Sequence, residues 1–355
     1  MKRYIFLVAA VALATVSCSK TYDTNKNAGE GMPITIGSWA NYLTRARGAG
    51  GSTFADGDKF FVYSYTPTTA SQFDGTVVST TDGTTWTYSP TRYWNRDNDY
   101  YDFYAISPSE DVAESAIVNA HTLSTGVFES KPLTLAGNDN DILVADKKHV
   151  LKTNYGQDVQ LNFRHINALF DLKVRKGTGI GDGVLKITAV ALENIKNAGE
   201  FEVTGYSVAP ADPVDTAIVA WTPSGTGTYT DASGVNAVTT ISGATAITTA
   251  GDQYLINNLV VMPQNFAADA QRLKISYTIT TGEAPNQQVN TFSNKTYDLI
   301  LFDKVDDTDN DDANVSGWVA GVHYTYIITI NAEAINFTAQ VEPWGVEGGY
   351  YYILN

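Results

Sequence analysis

Cys18 is the only thiol in this 355-residue chain. It closes a leader made of Met1-Lys-Arg, an apolar run from Tyr4 to Val16, and Ser17-Cys18-Ser19-Lys20. A basic start, a short apolar stretch and small residues before a cut mark a secretory signal. The run falls short of the about 20 residues that cross a bilayer. A cysteine just after the cut is a bacterial lipidation site. Residues 1–17 therefore read as a lipoprotein signal peptide and Cys18 as the acylated first residue of the mature chain. Thr15 stands where the lipoprotein box usually has leucine. Several acyl chains anchor a protein stably where one does not. The partner implied at this end is outer-membrane lipid.

Other reactive groups are sparse. His121, His149, His165 and His323 lie far apart, none at ligand spacing with another, and read as structural. Asp307, Asp309 and Asp311 mimic the start of an EF-hand loop. However, Asp312 stands where that loop needs glycine and Trp318 where it needs glutamate. The run 303–312 reads as a solvated acidic loop. No GxSxG, Walker, GxGxxG or HExxH motif occurs. Gly177–Gly183 is a turn with no helix after it to hold a phosphate. No cofactor, metal or catalytic residue is assigned, and the chain reads as non-enzymatic. Carboxylates are numerous, so spacing alone does not exclude a glycosidase. Trp86 and Trp94 suit either sugar stacking or core packing. Asp215-Thr216-Ala217 fits a short, unspecific glycosylation-like pattern.

The elements that position these residues read as strands. Tyr alone numbers 21, and Thr, Val, Ile and Gly are abundant. The formal net charge is −15. Without Lys2 and Arg3, 21 basic residues face 38 acidic ones, a balance near −17 that argues against nucleic acid. With 43 % hydrophobic residues the chain can bury real cores. Its length suits about two domains. One cysteine leaves no disulfide framework.

Residues 18–32 are polar and glycine-bearing, a flexible tether. Pro33 opens the first strand. Thr44–Ser52 follows, a glycine-rich loop carrying Arg45 and Arg47. Strands are expected at 60–65, 85–88, 100–106, 184–192, 254–261, 272–280, 324–330 and 335–341, with shorter pieces between. The only helical candidate past the leader, Glu110–Ala120, is short. Val159, Leu161 and Phe163 share one face. Ile166, Ala168, Phe170, Leu172 and Val174 share a face in the opposite phase, so a bulge or break is expected at Arg164-His165. Short strands without βαβ alternation imply antiparallel β-sandwiches. The polar gap Lys152–Gln157 suggests a boundary, giving domains 33–155 and 156–355.

Several segments in order carry a family resemblance. They are Thr44-Arg45-Ala46, Phe54–Phe60, Tyr93-Trp94, Asp102–Pro108, Asp141–Ala145, Val159–Ala168, Trp318–Tyr324, Ile335–Phe337 and Val341–Trp344. Together with the leader they resemble the fimbrillin family, the type V pilins and related lipoproteins of Bacteroidales. The resemblance implies an all-β chain of two transthyretin-like antiparallel β-sandwich domains in tandem. It also implies export as a lipoprotein, a cut by an arginine-specific surface protease, loss of the first strand, and filling of the groove by a donor strand from another subunit. Arg45 and Arg47 lie where the family is cut, and glycines after Arg47 favour that site. Ile34, Ile36 and Trp39 would anchor the displaced strand. Tyr350, Tyr352 and Leu354, after the Gly348-Gly349 hinge, form the donor candidate. The implied partners are other fimbrial subunits and a host or bacterial surface ligand. The alternative on the same scaffold is a monomeric surface lipoprotein that binds glycans through Trp86 and Trp94.

Overall fold

The computed structural model describes residues 31–39, 54–68, 71–108, 112–135, 141–206, 217–226, 238–240, 246–247, 251–268, 270–304, 315–332 and 335–343. Strands in the first half are β1 (Ile36–Trp39), β2 (Lys59–Tyr65), β3 (Thr76–Thr80), β4 (Trp86–Thr87), β5 (Tyr100–Pro108), β6 (Val118–Thr122), β7 (Val127–Ser130), β8 (Leu133–Thr134), β9 (Ile142–Leu151) and β10 (Val159–His165). The expected helix over Glu110–Ala120 reduces to one 3-10 turn, Glu114–Ala116. Among the described residues no helix is long and apolar enough to cross a membrane.

Seven strands form one sheet in the order β1-β10-β9-β5-β2-β3-β4. The sheet curls until its two edges, β1 and β4, approach within 8 Å. Strand alternation sends Val159, Leu161 and Phe163 inward, as their spacing predicts. They meet Phe54, Phe60, Trp86, Trp94, Tyr101 and Phe103 in an aromatic core. Tilted and edge-on ring pairs, such as Phe60–Phe163 at 4.9 Å, are the arrangement that ring quadrupoles favour.

The other face of this sheet is also covered. Phe61, Tyr63, Tyr104, Ile106 and Val144 pack on Phe128, Phe201 and Val203. The last two come from β13 (Lys196–Tyr206), which joins β14 (Ala217–Thr226), β7, β6 and β8 in a second sheet. Burial on both faces explains why β2 and β5 read as near-continuous apolar runs rather than alternating ones.

The expected boundary after residue 155 cuts through this arrangement. β10 lies beyond it, yet belongs to the seven-stranded sheet. The polar gap forms a 3-10 turn, Lys152–Asn154, that lays Tyr155 flat on Trp94 at 4.4 Å. The phase flip is a break: β10 ends at His165, and β11 (Ala168–Lys176) starts in a different sheet. The crossing is pinned where Trp221 Nε1 donates to the Ile166 carbonyl at 2.7 Å and the Gly321 N–H to the Asn167 carbonyl at 2.8 Å.

The remaining strands are β12 (Val184–Glu193), β15 (Val238–Thr240), β16 (Ala246–Ile247), β17 (Gln253–Val261), β18 (Gln264–Asn265), β19 (Arg272–Thr281), β20 (Gln288–Asp298), β21 (Asp303–Lys304), β22 (Gly317–Trp318), β23 (Val322–Ile330) and β24 (Ile335–Pro343). Sheets β17-β11-β23-β24-β21 and β15-β12-β19-β20 sandwich a second large core, with Phe170, Leu172, Ile187, Ile275, Tyr326 and Ile328 at its centre. The all-β expectation holds. Most ladders are antiparallel, as expected. The ladders β1–β10, β11–β23 and β21–β24 are parallel, so the sheets are mixed. Such pairs join segments distant in sequence.

Buried tyrosines couple this packing to pH. Burial raises Tyr324 to about 12, opposed in part by the Val319 N–H at its hydroxyl. Burial also raises Tyr326 and, with Glu114 accepting its hydroxyl proton at 2.7 Å, Tyr63. In the unfolded chain a tyrosine releases its proton near about pH 10. Above that pH the unfolded state sheds protons that the native state keeps. Stability is therefore full below about pH 10 and falls as pH rises toward the folded values. Urea midpoints should be level from pH 8 to 9 and drop between pH 10 and 12. A level midpoint through pH 12 would contradict this account.

Candidate functional site

β1 closes the aromatic core from the rim of the sheet. It is an edge strand of four residues, bonded within the sheet to β10 alone, in parallel register from Ile36↔Val159 to Trp39↔Asn162. Just before it, Ile34 N–H donates to the Arg92 carbonyl at 2.8 Å and Trp94 N–H to the Met32 carbonyl at 2.9 Å. The Tyr88 hydroxyl caps the Ile34 carbonyl. Residues 92–94 thus clasp the strand's start. Sequence reasoning missed this clasp, because nothing in residues 88–94 announces pairing with residue 34.

The side chains of Ile34 and Ile36 are 1 % and 6 % exposed and project into the aromatic core. Thr35 bonds toward β10, accepting the Val159 N–H at 2.8 Å. By strand alternation the main-chain groups of Ile36 and Ser38 point the other way. There they meet a cleft of 710 Å³ between β1 and the turn before β4. On the outer face a Cβ at Gly37 would lie 2.5 Å from the Gln160 amide nitrogen, the end of a flexible side chain that can swing aside. A lone glycine inside a strand pattern is the sequence signal for such a close approach.

The far wall of the cleft is rigid. Asp82 accepts the N–H groups of Thr85 at 2.6 Å and Thr84 at 2.8 Å, and the Thr85 hydroxyl at 2.7 Å. The Thr85 main-chain bond, then its hydroxyl, hold the Asp82 carboxyl below the usual carboxylate range. Gly83 has φ +74°, and a Cβ there would fall 2.1 Å from the Phe54 carbonyl oxygen, so only glycine fits.

Trp86 and Trp94 are not a sugar platform. They are 9 % and 3 % exposed. Trp86 meets Phe54 edge-on at 5.0 Å and Phe60 at 4.5 Å. Trp94 is covered by Tyr155 and Tyr101. Of the other expected site residues, Ile34 and Ile36 meet at the edge strand, and Trp39 is placed there by its backbone. Cys18, Arg45, Arg47, Tyr350, Tyr352 and Leu354 lie outside the described residues, as do Asp307, Asp309, Asp311, Asp312 and the Asp215-Thr216 pair.

Each histidine faces an aspartate: His121–Asp74 at 3.0 Å, His149–Asp102 at 3.5 Å, His165–Asp141 at 2.8 Å and His323–Asp171 at 2.9 Å. These pairs sit on four separate stretches of the fold. Among the described residues, no three His, Cys, Asp or Glu side chains gather as a metal site.

Comparison with known proteins gives the chain a family. The fimbrillin-like family model matches residues 44–344. The chain belongs to that family. The fimbrillin-like chain shares its fold with a fimbrial protein from Bacteroides vulgatus: TM-score 0.54 at 16 % identity, over 88 % of this chain and 99 % of that one. The tip fimbrial protein Mfa3 from Porphyromonas gingivalis, with a C-terminal truncation, matches over 89 % of this chain and 100 % of its own, at 10 % identity and TM-score 0.42. No curated protein matches the fimbrillin-like chain.

Proposed function

We propose that this chain is a structural, non-enzymatic subunit of a surface fimbria, assembled by strand exchange at β1 and serving adhesion. The family and its fimbrial relatives support the fimbrial role and a cell-surface location. Export proceeds as a lipoprotein through Cys18 to the outer membrane. A surface protease cuts after Arg47, or Arg45, and residues before the cut leave with the lipid. The carboxyl tail with Tyr350, Tyr352 and Leu354 is the donor in this reading. Two transthyretin-like units in tandem are part of this reading.

The observation that carries the proposal is the edge strand. Ile34 and Ile36 fill an aromatic core, yet β1 has only one neighbour in the sheet. An incoming strand of similar pattern recovers both the buried apolar area and the main-chain bonds. A donor segment of one subunit seated in the groove of the next makes a head-to-tail contact that extends into a filament. The test is limited digestion of the full chain with an arginine-specific protease. Cutting at Arg45 or Arg47 should give ladders of multimers in mild detergent. A cut chain that stays monomeric and keeps its first segment bound would refute strand exchange here.

A further inference from the structure

A second cleft opens on the opposite side of β10 from β1. The β9–β10 ladder runs from His165↔Leu143 only as far as Asn162↔Asp146. Beyond that pair the strands part around a cleft of 310 Å³. Its walls carry Lys147, Lys148, His149, Asn154, Gln157 and Gln160, and one carboxylate, Asp158, which accepts the Thr35 hydroxyl. Three consecutive cationic or protonatable residues stand out in a chain of net charge −15. Among the described residues no carboxylate forms an ion pair with Lys147, which is exposed.

The fold spends backbone strain here. The β5–β9 register shifts between Tyr101↔Val150 and Phe103↔Lys147, so Lys148 and His149 oppose Asp102 alone. His149 takes φ +52°, a conformation few residues with side chains adopt. Asp102 holds it there, accepting the His149 N–H at 2.7 Å. The exposed imidazole stacks on Tyr100 at 4.5 Å and 11°. Bulges and strained residues of this kind re-aim side chains and gather at functional sites.

The geometry points to a binding site for an acidic saccharide. Lys147 and His149 suit a sugar carboxylate. The amides of Asn154 and Gln157 can each donate and accept, which matches neighbouring hydroxyls. The volume is at the small end of ligand pockets, about 300–1,000 Å³, and suits a terminal sugar rather than a long chain. The buried tryptophans do not line it, whereas Asp158 and Gln160 line both this cleft and the one beside β1.

The experiment titrates the full chain at low ionic strength with N-acetylneuraminic acid and with glucuronic acid, read by protein-observed NMR. Glucose, inorganic sulfate and tetraglutamate serve as comparison probes. Saturable binding of at least one acidic sugar is expected, weakened at least tenfold in Lys147→Glu. His149→Asn should weaken it several-fold while keeping the bulge, since asparagine tolerates the same backbone. Lys147 is exposed, so its variant should keep the wild-type amide spectrum elsewhere. Binding of neither acidic sugar would overturn the proposal. So would unchanged affinity in Lys147→Glu, or equal affinity for sulfate or tetraglutamate, which would make the cleft a general anion patch.

Discussion

Replacing Ile34 and Ile36 together (Ile34→Asp with Ile36→Asp) is expected to detach β1 and to weaken the N-terminal core by about 3–6 kcal/mol. That figure is the loss of two buried aliphatic side chains at about 1.5–3 kcal/mol each. The new carboxylates would not stay buried in the aromatic core, because an unpaired buried charge costs more than leaving it. Detachment is therefore favoured over distortion. Hydrogen exchange is the measurement. The Val159 amide, which donates to Thr35, should lose protection in the double variant. Amides of β10 that bond toward β9 should keep theirs. A peptide of residues 31–39 added in trans should restore protection at Val159. Full protection at Val159 in the double variant would mean that β1 is not separable, and strand exchange would lose its structural basis.

The sequence made some of this legible and hid the rest for identifiable reasons. The alternation of Val159, Leu161 and Phe163 has a period that only a half-buried strand produces, and the structure places all three in one core. The phase flip after Phe163 required a discontinuity, and the chain changes sheets there. The pairing of β1 with β10 was not legible, since a parallel ladder between residues 36 and 159 leaves no local mark. Nor was the sheet membership of β10. Lys152–Gln157 is polar because it turns at the surface, but Tyr155 within it anchors the N-terminal core. Polarity reported the turn and not the sheet's membership. The cleft beside His149 was equally hidden, because a register shift in β9 depends on where β5 and β10 end their pairing.

Trp94→Ala is expected to be the most damaging single substitution in the N-terminal sheet, costing about 3–5 kcal/mol. Trp94 loses a flat partner in Tyr155 at 4.4 Å and edge contacts with Tyr101 at 5.1 Å and Phe103 at 5.8 Å. The cavity left lies beneath the clasp formed by the Trp94 N–H and the Met32 carbonyl, so part of the effect should reach β1. The sugar-stacking alternative makes the opposite forecast. An exposed tryptophan on a binding face contributes to affinity and little to stability, so its loss would leave the denaturation midpoint near that of the parent chain. Chemical denaturation of Trp94→Ala separates the two readings directly. A midpoint within about 0.5 kcal/mol of the parent would return Trp94 to the surface. A loss of several kcal/mol confirms it as packing. Any saccharide affinity of the full chain then has to reside elsewhere, on polar groups such as those that line the cleft beside His149.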